Sequence, residues 1–229
     1  MFFRQLLDRE SCTWTYLLAD VDSGDAAIVD PVLECVERDA LLISELGLKL
    51  RFAVETHIHA DHVTGGGRLR ERFGCQQVGL SLAGAAWDLR AADGEQLSFG
   101  RHRLTARHTP GHTLGCCSWM LDDNAAVFSG DTLLVRGCGR TDFQEGDAAT
   151  LYRSVHTRIF CLPDATPVYP GHDYLGRTAT TVGEERRFNP RLGNGRTEAE
   201  FVDLMAGLKL DLPKKIDVAV PANLAAGRC

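Results

Sequence analysis

The 229-residue sequence contains no run of about 18 apolar residues, so nothing in it reads as a membrane-spanning helix. It also lacks a basic excess. Lys and Arg number 25 against 31 Asp and Glu, a formal net charge of −6, which disfavours a surface built to track nucleic-acid phosphates. The densest basic cluster, Arg68, Arg70 and Arg72, alternates with Leu69, Glu71 and Phe73 and reads as a solvated helix face. The eight cysteines form no Cys-x-x-Cys pair and show no regular spacing, so they read as reduced thiols, not a disulfide framework. Cys116 and Cys117 are adjacent on an expected strand and should face opposite ways, which argues against a joint redox role. The first residues, Met-Phe-Phe-Arg-Gln-Leu-Leu-Asp, have neither the apolar core of a secretory signal nor the acid-poor character of a transit peptide. A cytoplasmic location is therefore expected. With no repeat, low-complexity stretch or linker, residues 1–229 read as one domain able to bury a sizeable core.

What is present is a series of short apolar segments separated by turn residues. Strands are expected over 2–7, 13–19, 26–29, 52–55, 76–80, 96–99, 102–108, 116–121 and 125–128. A helix is expected from about Val36 to Leu46, stopped by Gly47, and others over 149–160, 179–187 and 198–208. Gly65-Gly66-Gly67 opens a further short helix. It lacks the Lys-Ser/Thr of a phosphate loop, and a tight backbone turn is its expected role. Strands clustered in both halves and closed by helices imply two packed sheets with helices outside.

Chemistry concentrates in one ordered set of side chains. His57, His59, Asp61 and His62 fall within six residues, directly after the apolar run Phe52, Ala53 and Val54. His112, Asp131 and His172 follow singly, each behind a glycine where a strand is expected to give way to a loop. Imidazole and carboxylate without thiolate suit zinc or iron. A lone histidine on a strand is usually a packing or surface residue, and His102, His108 and His156 read that way. Seven such residues in this order do not. They predict a metalloenzyme and leave the metal and its number open.

The pattern His-x-His-x-Asp-His followed by lone His, Asp and His resembles the metallo-β-lactamase superfamily from about residue 10 to 175. That resemblance implies an α/β fold, the αβ/βα four-layer sandwich, with the metal site at the edge of the two sheets. Four further segments narrow it: Gly137-Cys138-Gly139-Arg140-Thr141-Asp142-Phe143-Gln144, Gly171-His172-Asp173-Tyr174, Glu184-Glu185-Arg186 with Asn189-Pro190-Arg191-Leu192, and Val220-Pro221-Ala222-Asn223. Together they resemble the persulfide dioxygenase family.

The resemblance implies one Fe(II) per subunit held by His57, His112 and Asp131, with glutathione persulfide, O2 and water giving sulfite and glutathione. His59, Asp61, His62 and His172 then support that ion or hold a second one. The second case would make the chain a dinuclear thioester hydrolase of the glyoxalase II type, which shares the Gly-Cys-Gly-Arg stretch. Arg140, Tyr174 and Arg191 are the candidates for binding the two carboxylates of glutathione, with Arg140 equally able to brace its loop against Asp142. Cys138 reads as a loop filler between two glycines rather than a persulfide carrier. A homodimer is common in such enzymes, and any sulfurtransferase partner would be a separate chain. A degenerate metal- or sulfur-binding scaffold is disfavoured, because no ligand of the pattern has been lost.

Overall fold

A computed structural model of the chain describes residues 1–228. The first half forms β1 (Phe2–Leu7), β2 (Trp14–Ala19), β3 (Asp25–Val29), α1 (Val36–Glu45), β4 (Lys49–Val54), α2 (Gly66–Phe73), β5 (Gln76–Leu80) and β6 (Leu89–Ala91). These strands make one six-stranded sheet in the order β1-β2-β3-β4-β5-β6. Its hairpins β1–β2 and β2–β3 are antiparallel; β3–β4, β4–β5 and β5–β6 are parallel. The second half forms β7 (Gln96–Phe99), β8 (His102–His108), β9 (Cys117–Leu121), β10 (Ala126–Gly130), α3 (Ala148–Ser154), β11 (Pro167–Pro170), β12 (Thr180–Thr181), α4 (Val182–Phe188), α5 (Glu198–Ala206) and α6 (Ile216–Leu224). Its sheet runs β12-β11-β10-β9-β8-β7, with only β10–β11 parallel.

The period of two along a strand explains why the sheets stack. In β2, Tyr16 and Leu18 enter a core shared with Val54, Leu104, Trp119 and Phe128 between the sheets. Leu17 and Ala19, pointing the other way, pack against α1 and α2 with Ile28, Ala40, Ile43 and Leu69. A third core covers the outer face of the second sheet, where Met120 and Val127 meet Leu151, Val155, Val182 and Phe201. The result is the expected sandwich of helices, sheet, sheet and helices.

Helix ends follow local chemistry. In α1, Val36, Ala40 and Ile43 form the buried stripe, and Gly47, with φ +62°, takes the left-handed turn that stops it. Thr197 and Glu200 close a capping box on α5.

Several expectations need correction. The glycines at 65–67 do not use the left-handed freedom of glycine, since none has a positive φ. They serve close packing: a Cβ on Gly65 would lie 2.7 Å from Val36 Cγ2, on Gly66 2.5 Å from Gln77 Nε2, and on Gly67 2.8 Å from the Gly227 carbonyl oxygen. The helix expected over 149–160 leaves the α form after Ser154 and continues as a π turn, Val155–Ile159. The segment at 179–187 begins as β12, and Thr181 caps α4 behind it by accepting from the Glu184 N–H. Cys116 stops short of β9 and contacts Thr113, while Cys117 enters the core between the sheets. The seven described cysteines are all free thiols.

Glu185 anchors the last third of the chain. Its fully buried carboxylate accepts from the Arg136 backbone N–H at 2.9 Å, Thr180 Oγ1 at 2.8 Å and Asn189 Nδ2 at 2.8 Å, and pairs with the Arg136 guanidinium. Replacing Glu185 with Ala leaves these donors unpaired in a dry site, so a loss of about 3 kcal/mol in unfolding free energy is expected. Urea denaturation monitored by circular dichroism checks it; an unchanged midpoint would contradict the account.

Candidate metal centre

Four strand ends converge on one edge of the sandwich. His57 follows β4, His112 follows β8, Asp131 follows β10 and His172 follows β11. The glycine before each of the last three has a steric reason. A Cβ on Gly111 (φ +131°) would strike the Leu151 backbone at 2.3 Å. On Gly130 (φ +52°) it would lie 2.5 Å from Thr56 Oγ1, and on Gly171 2.7 Å from Asp131 Oδ1. Gly130 thus lets the two sheets meet where the candidate ligands emerge, Gly111 makes room for α3, and Gly171 makes room for the Asp131 carboxylate.

All seven candidate ligands meet there. Donor atoms of His57, His112 and Asp131 lie within 4.8 Å of one another, and so do those of His59, Asp61 and His62. His172 joins the two groups: Nδ1 is 2.7 Å from Asp131 Oδ1 and Nε2 is 2.9 Å from Asp61 Oδ2. His102, His108 and His156 lie elsewhere, bonded to Asp122, the Leu114 carbonyl and the Tyr152 carbonyl.

Hydrogen bonds determine which imidazole nitrogen faces the centre. His112 Nδ1 lies 2.7 Å from the Arg140 carbonyl, which can only accept, so Nδ1 carries the proton and Nε2 is the free lone pair. Thr56 Oγ1 donates to Asp30 Oδ2 at 2.8 Å and therefore accepts from His57 Nδ1 at 2.9 Å, again leaving Nε2 as the donor atom. Burial and the adjacent His59 push His57 well below the ordinary imidazole range, which keeps it neutral. Burial alone would raise Asp131, but the His172, His112 and His57 rings hold it well below the usual carboxylate range. Burial likewise lowers His172, and Asp131 and Asp61 more than reverse it. His59 and His62 each present a buried nitrogen, Nδ1 and Nε2 respectively, with no partner among the described residues. The neutral His57 imidazole, the ionised Asp131 carboxylate and the unpartnered ring nitrogens of His59 and His62 together fit a bound cation.

Residues outside the sequence-derived set orient this centre. Asp30, buried and at φ +49°, accepts from the Thr56 N–H at 2.7 Å and lies 3.2 Å from His59 Nε2. Burial raises the Glu55 carboxyl to about 7, against the opposing pull of His59. Thr13 Oγ1 stands 3.0 Å from His172 Nε2 and 3.3 Å from His62 Nδ1. Asp30 and Glu55 share a legible signal, an acid closing an apolar strand, in Ala-Ile-Val-Asp and Phe-Ala-Val-Glu. Thr13 carries none, because it reaches the site only through a bridge to His172.

A cavity of about 690 Å³ opens over the ligands, and Arg140, Tyr174 and Arg191 all lie on its wall. Their engagements differ. Arg140 grips Asp142 through Nε and Nη2, both at 2.7 Å, and donates to the Asp211 carbonyl at 2.6 Å, so it braces the loop. Arg191 commits only Nη1, to the Cys138 carbonyl at 3.0 Å. The largely exposed Tyr174 ring lies parallel to His172 at 6.2 Å. Burial pushes the Cys138 thiol up to about 11, and the side chain packs into the outer core, as a loop filler would.

The family model described as the metallo-beta-lactamase superfamily matches residues 10–172. Mouse "Persulfide dioxygenase ETHE1, mitochondrial" is 53% identical over 99% of this chain and 89% of its own length. A hydroxyacylglutathione hydrolase of Rhizobium johnstonii is 34% identical over 90% of this chain and 79% of its own. The crystal structure of ETHE1 from Myxococcus xanthus superposes with a TM-score of 0.96 at 48% identity, covering 100% of both chains. With the sandwich, the ligand order and this full-length likeness in agreement, the chain belongs to the persulfide dioxygenase family of the metallo-β-lactamase superfamily.

Proposed function

We propose that this enzyme oxidises glutathione persulfide with O2 and water to glutathione and sulfite, using one Fe(II) per chain held by His57, His112 and Asp131, with residues 1–229 acting as one domain. The observation that carries this reading is the persulfide dioxygenase likeness running through 99% of the chain, tail included, at 53% identity. The thioester-hydrolase likeness is weaker, at 34%. The net reaction is R–S–SH + O2 + H2O → R–SH + SO3²⁻ + 2H⁺, in which the sulfur–sulfur bond breaks and the terminal sulfur takes up three oxygens. Ferrous iron, when bound to two imidazoles and a carboxylate, supplies one-electron chemistry and open positions for small ligands.

The chain's own residues prepare the site. The Arg140 carbonyl and the Thr56 hydroxyl fix the tautomers of His112 and His57 and aim both Nε2 lone pairs inward. His172 holds Asp131 by a 2.7 Å contact, which limits how far that carboxylate can rotate. Asp61 and His62 then complete a polar wall beside the ion rather than a second metal site. In the cavity, Arg191 has guanidinium N–H groups to spare for a glutathione carboxylate, and Tyr174 offers a ring face and a hydroxyl at the mouth. Arg140 contributes by holding the loop that carries its own carbonyl to His112.

Metal analysis of ferrous-reconstituted protein should give about one iron per chain, with oxygen uptake that depends on glutathione persulfide. Two metals, thioester turnover and no oxygen uptake would establish the hydrolase instead. Asp131→Ala should abolish iron retention and turnover together while leaving the circular-dichroism spectrum unchanged. Arg191→Ala should raise the KM for glutathione persulfide about tenfold, the worth of one charge-assisted carboxylate contact, with kcat within about twofold. A kcat loss at constant KM would place Arg191 elsewhere in the mechanism.

A further inference from the structure

The segment Val220-Pro221-Ala222-Asn223 lies in α6, far along the chain from every candidate ligand, yet Asn223 is 2% exposed and reaches the His-rich loop. Its Oδ1 accepts the Thr64 backbone N–H at 2.8 Å. Its Nδ2 donates to the His59 carbonyl at 2.8 Å and to the His62 carbonyl at 2.9 Å. One carboxamide thus ties three backbone groups of a single turn. Only an amide has one acceptor and two donors on so short a stem; aspartate would oppose two carbonyls, and serine cannot span the distance.

The surrounding packing seats the tail at that place. Ala226 shares a small apolar cluster with Ile58, Ala85 and Trp87. The Ala86 N–H donates to the Leu224 carbonyl at 2.8 Å. The side-chain-free Gly67 leaves room for the Gly227 and Ala226 carbonyl oxygens, which a Cβ would meet at 2.8 and 2.9 Å. From the clamped turn a contact path leads to the centre: Asp61 Oδ2 to His172 Nε2 at 2.9 Å, then His172 Nδ1 to Asp131 Oδ1 at 2.7 Å.

We propose that Asn223 is a positioning residue for the metal centre, so that α6 is part of the site although it contributes no ligand. The amide holds the 59–64 turn at one pitch, the turn holds Asp61, and Asp61 with His172 sets the orientation of Asp131. This inference rests on the proposed ligand set His57, His112 and Asp131. Asn223 does not line the cavity, so the effect should fall on the metal rather than on substrate affinity.

The test compares Asn223→Ser, Gly67→Ala and Val218→Ser with the unmodified protein. Gly67→Ala leaves the amide intact but pushes the tail away. Val218, 66% exposed on the same helix, serves as the control. Asn223→Ser and Gly67→Ala should each weaken ferrous affinity about 10–100-fold in chelator competition, the usual effect of losing a partner that orients a metal ligand. In the metal-free protein, amide hydrogen exchange should rise at residues 57–64 and stay unchanged in both sheets. The KM for glutathione persulfide should hold while kcat per bound iron falls, and Val218→Ser should change nothing. Unaltered affinity and exchange in either folded variant would overturn the proposal, as would exchange rising throughout the chain. Should Asn223→Ser fail to fold, Gly67→Ala decides alone. Affinity and exchange need no turnover, so a protein that consumes no oxygen would reject the persulfide reading and still leave this one decided.

Discussion

The centre depends on how closely the two sheets approach at Thr56 and Gly130. A side chain at 130 would occupy the space of the Thr56 hydroxyl, 2.5 Å from where its Cβ would stand. That hydroxyl is committed on both sides, donating to Asp30 and accepting from His57. Its position therefore sets the tautomer of one imidazole and the distance from the first sheet to Asp131 on the second. Tyr16 secures the same seam by donating to the Pro170 carbonyl at 2.6 Å, and Trp119 Nε1 by donating to the Glu55 carbonyl at 3.0 Å. Both bonds are buried and cross from one sheet to the other, next to the strand ends that carry the candidate ligands.

Burial of so many ionisable groups is tolerable because the charged ones are paired. Isolated, a buried carboxylate or imidazolium would shed its charge. Here Asp61 and Asp131 share His172, and Asp30 and Glu55 flank His59, which they raise to about 9 against the lowering effect of burial. The arrangement is asymmetric: His57, among rings, stays neutral, while His172, between carboxylates, is drawn toward its charged form. Polarity is thus graded across the edge of the sandwich, with lone-pair donors on one side and a proton-rich contact on the other.

Much of this was legible in the chain. Short apolar runs bounded by turn residues gave most strands to within a residue or two, because each had to bury side chains in a core. The seven candidate ligands stood out because a dense His/Asp pattern has no packing explanation. What escaped was short, polar or proline-bounded. β11 begins and ends in proline, β12 is two residues long, and α6 holds Pro221 in its interior, where it breaks the helical pattern. The glycines at 65–67 were legible as glycines, but their neighbours Val36, Gln77 and Gly227 were not.

The order of residues by itself determined the candidate ligand types and most of the strands that carry them, since apolar runs and donor chemistry are local properties, and its motifs carried the resemblance to the superfamily. Tertiary structure decided everything that needs two distant segments at one place. It turned Arg140 into a brace on Asp142 and Asp211, left Arg191 with N–H groups to spare, and brought Asp30 and Thr13 to the imidazoles and Asn223 to the His59 and His62 backbone carbonyls. The physical reason is that a hydrogen bond is fixed by distance and angle in space, whereas spacing along a chain constrains only residues within a few positions of one another.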